Sequence, residues 1–327
     1  MEKMSQKIKW GILGTAQIAK TAIIPAIKAL DNCEIIAIAS RSLDKAKTFA
    51  SEFDIPKAYG SYKELLADPE IDAIYNPLPI SMHLEWSLKC ATAGKPVLCE
   101  KPLALNRKEV EEMIRVFSRK KILLGEALMY RYHPLTKKFI SLIKEGAIGK
   151  VKTVQSNFHV QIPNPNDIRF KKNTGGGSLL DLGCYCVSII RQIIAEEPEA
   201  ANSFAKRNDE GVDVSFSGIM KFPSGVLGQF DCSLTSQFSC GYTAIGSQGK
   251  LVVDWGGMVP WPGEVFKIKY WKGEDYSEIE IPEANHYALM VEDFSNALLH
   301  ETSLQFDLQD TINNMQAIDL LQQASKI

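Results

Sequence analysis

The first 126 residues alternate short apolar runs with helix-compatible stretches, and that alternation constrains the fold more than any other feature of the chain. Ile8–Leu13, Cys33–Ala39, Lys57–Tyr59, Ala73–Asn76, Pro96–Cys99 and Ile122–Leu124 read as strands. Between them, Ile18–Leu30, Leu43–Glu52, Tyr62–Ala67 and Met82–Ala93 read as helices, and a further helix runs from an Asn106 cap to about Arg119. Gly94 stands where a helix stop is expected. Strands that are apolar throughout belong in a parallel sheet covered on both faces, and right-handed crossovers make it doubly wound.

From about Val151 the texture changes. Val151–Val160, Asp213–Phe222, Gly225–Ser233, Gly241–Ile245, Lys250–Asp254, Phe266–Trp271 and Glu278–Ile281 read as strands, several of alternating polarity. Turn signals such as Pro223-Ser224-Gly225 separate them. Leu180–Ile194, His286–His300 and Leu308–Ser325 read as helices. The chain is therefore expected to be α/β: a Rossmann-type domain over residues 1–126, then an α+β domain over 127–327 with a large, mostly antiparallel open sheet. A chain of 327 residues suits two domains.

Charge and cysteine usage exclude several classes of function. The 37 basic and 39 acidic residues leave a net charge of -2, which supplies no field for nucleic acid or an anionic membrane. No run of about eighteen apolar residues offers a membrane span. Residues 1–7 carry no apolar leader core or cleavage signal, and the seven cysteines sit mostly in apolar runs. That pattern predicts free thiols in a reducing cytoplasm. Cys184 and Cys186 diverge on a helix and have no second ligand pair, so no metal is expected.

Gly11-Ile12-Leu13-Gly14-Thr15-Ala16-Gln17-Ile18-Ala19 is a degenerate dinucleotide turn. Gly14 makes the turn, while Ala16 and Ala19 are small enough for a pyrophosphate to approach and a helix to pack. Gly14, Thr15, Ala16, Gln17 and Ile18 are thus candidate cofactor contacts; the competing reading is a structural β–α turn. The second strand ends at Ser40 and Arg41, where an acidic residue would hold the ribose of NAD. Arg41, with Lys45 a turn later, suits a 2′-phosphate, so NADP is expected rather than NAD.

Two further constellations carry chemistry. Glu100-Lys101-Pro102 ends the fifth strand and puts Lys101 at the carboxyl edge of the sheet. Gly175-Gly176-Gly177 precedes a helix carrying Asp181 and Tyr185 four residues apart. Taken alone, such a lysine is usually solvated, and such an Asp–Tyr pair usually a surface or packing feature.

With Asn76-Pro77-Leu78-Pro79 through His83 and Gly125-Glu126 through Tyr130-Arg131-Tyr132-His133-Pro134, the chain resembles the Gfo/Idh/MocA oxidoreductases along essentially its whole length. The tyrosine at 185 resembles the branch of dihydrodiol dehydrogenases, D-xylose dehydrogenases and glucose-fructose oxidoreductase; inositol dehydrogenases carry histidine there. The resemblance implies Tyr185 as acid/base, Lys101 as the cation assisting it, and Asp181 as an orienting group. By their positions near strand ends, the crossing between domains and the triple glycine, Pro77, Leu78, His83, Glu100, Lys101, Arg131 and Arg169 are further candidate cofactor contacts, and Tyr130 joins Lys101, Asp181 and Tyr185 as a candidate substrate contact. His83 competes as a helix cap, His133 as a turn residue and Arg169 as an ion-pair member. Met129 stands where some relatives carry tryptophan, and Trp255, Trp261 and Trp271 are expected in sheet packing or a dimer interface. The expected function is hydride transfer to or from a sugar, polyol or diol. Alternatives are a ketoreductase of nucleotide-linked sugars and a non-catalytic NADP sensor. A homodimer or dimer of dimers is expected through the open sheet.

Overall fold

In the computed structural model, which describes residues 7–325, the expected alternation is realised as a six-stranded parallel sheet. Its strands are β1 (Ile8–Leu13), β2 (Cys33–Ala39), β3 (Lys57–Tyr59), β4 (Ala73–Asn76), β5 (Val97–Glu100) and β6 (Leu124–Ala127), in the order β3-β2-β1-β4-β5-β6. The order reverses between β1 and β4, the switch point at which open α/β sheets bind ligands. The sixth strand lies later than the expected 122–124, because register with β5 starts only at Leu124, opposite Val97. The helices are α1 (Ile24–Lys28), α2 (Leu43–Glu52), α3 (Tyr62–Ala67), α4 (His83–Thr92) and α5 (Arg107–Lys120). A π turn, Ala19–Ile23, precedes α1. Trp10, Ile12, Ala37, Ile38, Ile74 and Tyr75 are wholly buried, which is why these strands read as unbroken apolar runs.

One compact unit comprises residues 1–104, 108–127 and 287–311; the other comprises 105–107, 128–286 and 312–327. The return of residues 287–311 to the first unit is a tertiary event. Phe294 rests against Trp10 at 5.4 Å between ring centroids, and lies where a side chain on Gly125 would be.

The second unit opens with α6 (Pro134–Lys144), a helix the sequence reading did not assign. Its eight strands are β7 (Val151–Gln161), β8 (Ala200–Arg207), β9 (Asp213–Lys221), β10 (Leu227–Ser233), β11 (Thr235–Gly246), β12 (Gly249–Val253), β13 (Phe266–Lys272) and β14 (Asp275–Ile281). They order as β14-β13-β12-β11-β7-β10-β9-β8, and only β7 and β10 pair in parallel. The edge strand β8 was also unassigned: its Lys206, Arg207 and Asn202 hide the strand pattern, as edges commonly do. One sheet face packs on α7 (Cys184–Ile194), whose residues 184–191 are all buried. The stretch 172–194 is the one described helical segment long and apolar enough to cross a membrane, and 83% of its apolar window is buried within the protein. The helices α8 (His286–His300) and α9 (Leu308–Ala324) follow.

Candidate active site

In the first unit the site is a set of loops at the carboxyl ends of β1, β2, β4 and β5. Gly14 turns the chain with φ of 84°, and its N–H donates to the Ala39 carbonyl at 2.7 Å. A side chain there would meet Leu78 at 3.1 Å, so the turn requires glycine for both conformation and space. Thr15, Ala16 and Ile18 are half-buried and Gln17 is exposed, leaving this helix start open. Ser40 is buried and accepts from the Ser42 amide, while Ser42 caps α2 by accepting from the Lys45 amide. Arg41 and Lys45 are exposed. The Arg41 charge opposes the rise that burial imposes on the Tyr62 phenol. The Tyr62 hydroxyl lies 3.7 Å from where a Gly14 Cβ would stand, so one tyrosine links the turn to the arginine.

The Lys101 loop is held by its neighbours' carbonyls and carboxylates. His83 is 1% exposed, with its ring nitrogens 3.0 Å from the Pro102 carbonyl and 2.7 Å from the Leu78 carbonyl. Burial pushes its pKa down to about 4, so the neutral ring donates to one of these oxygens at a time. His83 therefore ties the Pro77-Leu78 loop to the Lys101 loop. Glu100 accepts from the Tyr75 hydroxyl at 2.6 Å. Glu126 accepts from the Leu103 amide at 3.0 Å and the Thr311 hydroxyl at 2.9 Å, pinning the same loop. Lys101 itself is half-buried.

In the second unit, Asp181 lies in a π turn, Leu179–Gly183, and Tyr185 in the first turn of α7. Tyr185 is 4% exposed. Its hydroxyl contacts the Met129 sulfur at 3.4 Å, and its ring packs against Tyr130 at 5.8 Å and Phe158 at 5.5 Å. Tyr130 is fully buried behind it, donating to Ser188 at 2.9 Å and accepting from Gln192 at 3.1 Å. That engagement holds Tyr130 behind the Tyr185 ring. Asp167 grips Arg169 through two parallel hydrogen bonds at 2.9 and 3.1 Å, and the arginine holds that carboxyl below its usual range. A third arginine nitrogen stands 3.9 Å from the Asp181 carboxylate. Arg131 is buried, and His133 caps α6 by accepting from the Leu135 amide at 3.0 Å. Burial pushes His133 down to about 4, which suits an uncharged cap.

Asp213 is the residue the sequence reading missed. One carboxylate oxygen accepts from the Ser178 hydroxyl and the Leu179 amide, each at 2.7 Å, exactly where the segment bearing Asp181 and Tyr185 begins. Gly177 has φ of 136°, and a Cβ there would fall 2.5 Å from the other Asp213 oxygen. The third glycine thus admits a carboxylate that satisfies open helix-start donors. Nothing local marks Asp213 for this, since it lies more than thirty residues away in β9.

A family model described as "Oxidoreductase family, NAD-binding Rossmann fold" matches residues 8–127, and the GFO/IDH/MocA C-terminal domain matches 136–252. The chain belongs to the GFO/IDH/MocA family. Among relatives of this GFO/IDH/MocA protein, D-xylose 1-dehydrogenase (NADP(+)) 2 of Haloferax volcanii is 34% identical over 97% of both chains. Trans-1,2-dihydrobenzene-1,2-diol dehydrogenase of Sus scrofa is 36% identical over 74% of this chain and 72% of its own. The 3-ketoreductase KijD10 of Actinomadura kijaniata, solved with NADP and TDP-benzene, superposes with a TM-score of 0.94 at 27% identity, covering 98% of each chain. The GFO/IDH/MocA chain is accordingly an NAD(P)-binding oxidoreductase of the kind that acts on sugars, diols or nucleotide sugars.

Proposed function

We propose that the protein is an NADP-dependent oxidoreductase acting at a carbinol or carbonyl carbon of a sugar, polyol or related diol. The observation that carries this reading is the placement of Tyr185: a phenol 4% exposed, in an aromatic frame, four residues after an acid that faces Arg169. The open helix start after Gly14 fits a pyrophosphate, and exposed Arg41 fits a 2′-phosphate. When bound, the nicotinamide supplies or takes up the hydride. Tyr185 exchanges the proton at the substrate oxygen. A free tyrosine titrates near 10, so a cation must assist it, and Lys101 is the residue we assign to that task. Asp181 orients a substrate hydroxyl. Reduction of a keto group on a nucleotide-linked sugar is the second reading, supported by the TM-score of 0.94 to the KijD10 ketoreductase.

A turnover screen following NADPH and NADH across aldoses, diols and keto sugars tests both readings. Turnover with NADPH on a free sugar or diol is expected; activity confined to nucleotide-linked substrates would favour the second reading. Absence of turnover on all of them would return the chain to the sensor alternative.

We further infer a homo-oligomer formed through the open sheet face, where Phe204 (83% exposed) and Ile219 (38%) border a concavity of about 860 Å³. Phe204→Glu should shift light scattering toward a single 36.4 kDa chain; a wild type already of that mass would overturn the inference. The buried free thiols are in keeping with a reducing cytoplasm.

A further inference from the structure

The proposed acid/base tyrosine stands at one end of a run of aromatic rings that reaches the surface. Tyr185 meets Phe158 edge-on at 5.5 Å, Phe158 meets Phe238 at 6.5 Å, and Phe238 meets Trp255 and Trp261 at 5.1 and 5.3 Å. The two indoles lie 6.3 Å apart with their planes only 25° from parallel. They are 53% and 43% exposed, large values for tryptophan in a chain whose Trp10 is wholly buried.

The burial of Phe158 and the ring contacts place this run on one side of the sheet. In β7, Val154, Ser156 and Phe158 are buried and alternate with Gln155, Asn157 and His159, which border the concavity of the open face. Phe158 pairs with Cys240 of β11; the register shifts between Thr235 and Ser239, and it is the edge-on ring contact that sets Phe238 beside Phe158. That face carries α7 and Tyr185. The tryptophans adjoining Phe238 therefore continue the Tyr185 side of the sheet, rather than the opposite face to which we assign the oligomer.

We propose that Phe238, Trp255 and Trp261 form a subsite for a second, non-reacting sugar ring, making the preferred substrate a glycoside or disaccharide rather than a free monosaccharide. The inference rests on the oxidoreductase reading above for the reacting ring at Tyr185. An indole offers a flat apolar face, and a pyranose has a matching face of C–H groups with its hydroxyls around the rim. Because the platform is open, those hydroxyls stay hydrated while the C–H face is covered. An aryl group, apolar on both faces and at its rim, would gain more from an enclosed pocket than from half-exposed indoles.

The test compares D-glucose with cellobiose and D-xylose with xylobiose, in the presence of NADP, by calorimetry and by quenching of tryptophan fluorescence. Each disaccharide should bind about tenfold more tightly than its monosaccharide, the return expected from covering one ring face, and should quench the emission. In Trp255→Ala/Trp261→Ala the affinity ratio should fall to about one. Equal affinities in the unmodified protein, or a ratio unchanged in the double variant, would overturn the proposal. So would a double variant that turns monomeric while keeping the disaccharide preference, because the indoles would then belong to an interface. Tight binding of phenyl β-D-glucoside without binding of either disaccharide would replace the sugar by an aryl group and overturn it as well. Disaccharide binding with quenching, but no turnover of any sugar, would leave the subsite standing and remove the reaction assigned to Tyr185.

Discussion

The two units hold their functional residues in different ways. In the first, strands buried on both faces end in loops gripped at their own backbone groups: the Gly14 amide by the Ala39 carbonyl, the Pro102 carbonyl by the His83 ring, the Leu103 amide by the Glu126 carboxylate. In the second, the candidate groups sit at a helix start fixed by side chains from distant elements: Asp213 on Ser178 and Leu179, Phe158 on Tyr185, and Tyr130 on Ser188. A backbone-held loop tolerates changes in side-chain type wherever turn geometry survives. A helix start held by one carboxylate does not.

The largest effect is expected from the two residues proposed for proton transfer. Tyr185→Phe and Lys101→Ala should each lower kcat by about 10²–10⁴, the usual worth of acid/base catalysis. The double variant should be little worse than either, because each removes the same event. Near-normal kcat in Tyr185→Phe, measured on the true substrate, would detach the second unit from proton transfer.

Glycine replacement compares how firmly the two sites are built. Gly177→Ala places a methyl group 2.5 Å from an Asp213 oxygen at φ of 136°, against 3.1 Å from a flexible leucine terminus for Gly14→Ala at φ of 84°. We expect about 2–3 kcal/mol of lost stability for the former and about 1 for the latter by urea denaturation, from backbone strain plus overpacking. Equal losses would erase the distinction between a carboxylate-held and a backbone-held site. Arg41→Ala sharpens the comparison from the first unit's side. NADP affinity should fall about ten- to a hundredfold, the worth of one charge-assisted pair, while NAD affinity barely moves. Matching losses for both cofactors would show that Arg41 does not meet the extra phosphate.

The smallest expected effect is acid sensitivity. His133 and His286 in the second unit are pushed by burial to about 4 and about 3, and His83 in the first to about 4. Their unfolded values lie near 6.5. Between that value and the folded ones the unfolded chain binds more protons, so stability falls as pH drops from about 6.5 to about 4. With two of the three histidines, the second unit should lose hydrogen-exchange protection first between pH 7 and pH 5. Earlier loss in the first unit would contradict this ranking.

How much was legible follows from the same contrast. The parallel sheet was readable because burial on both faces writes a continuous apolar run, and β1 to β5 emerged within a residue or so of their expected bounds. β8 was not, because an edge strand carrying Lys206 and Arg207 lacks the alternation that marks a half-buried strand. α6 passed unassigned although His133-Pro134 is a recognisable cap and first turn. At the site, Gly14, Arg41, Lys101, Asp181 and Tyr185 announced themselves by motif and position. Tyr62, Glu126 and Asp213 did not, since each acts through a partner distant in sequence or in another element.

By itself the sequence determined the order of elements, the turn at Gly14 and the residue types available for chemistry, because local φ/ψ preference and burial periodicity are written within a few residues. Only the tertiary structure decided that His83 joins the Leu78 and Pro102 carbonyls, and that Tyr130 faces Ser188 and not solvent. It likewise brought residues 287–311 into the first unit, and set Trp255 and Trp261 as an exposed stacked pair beside Phe238. Those outcomes depend on which strands become neighbours and in what register. Register is fixed by the summed packing of a whole sheet face, a quantity that no single stretch of chain contains.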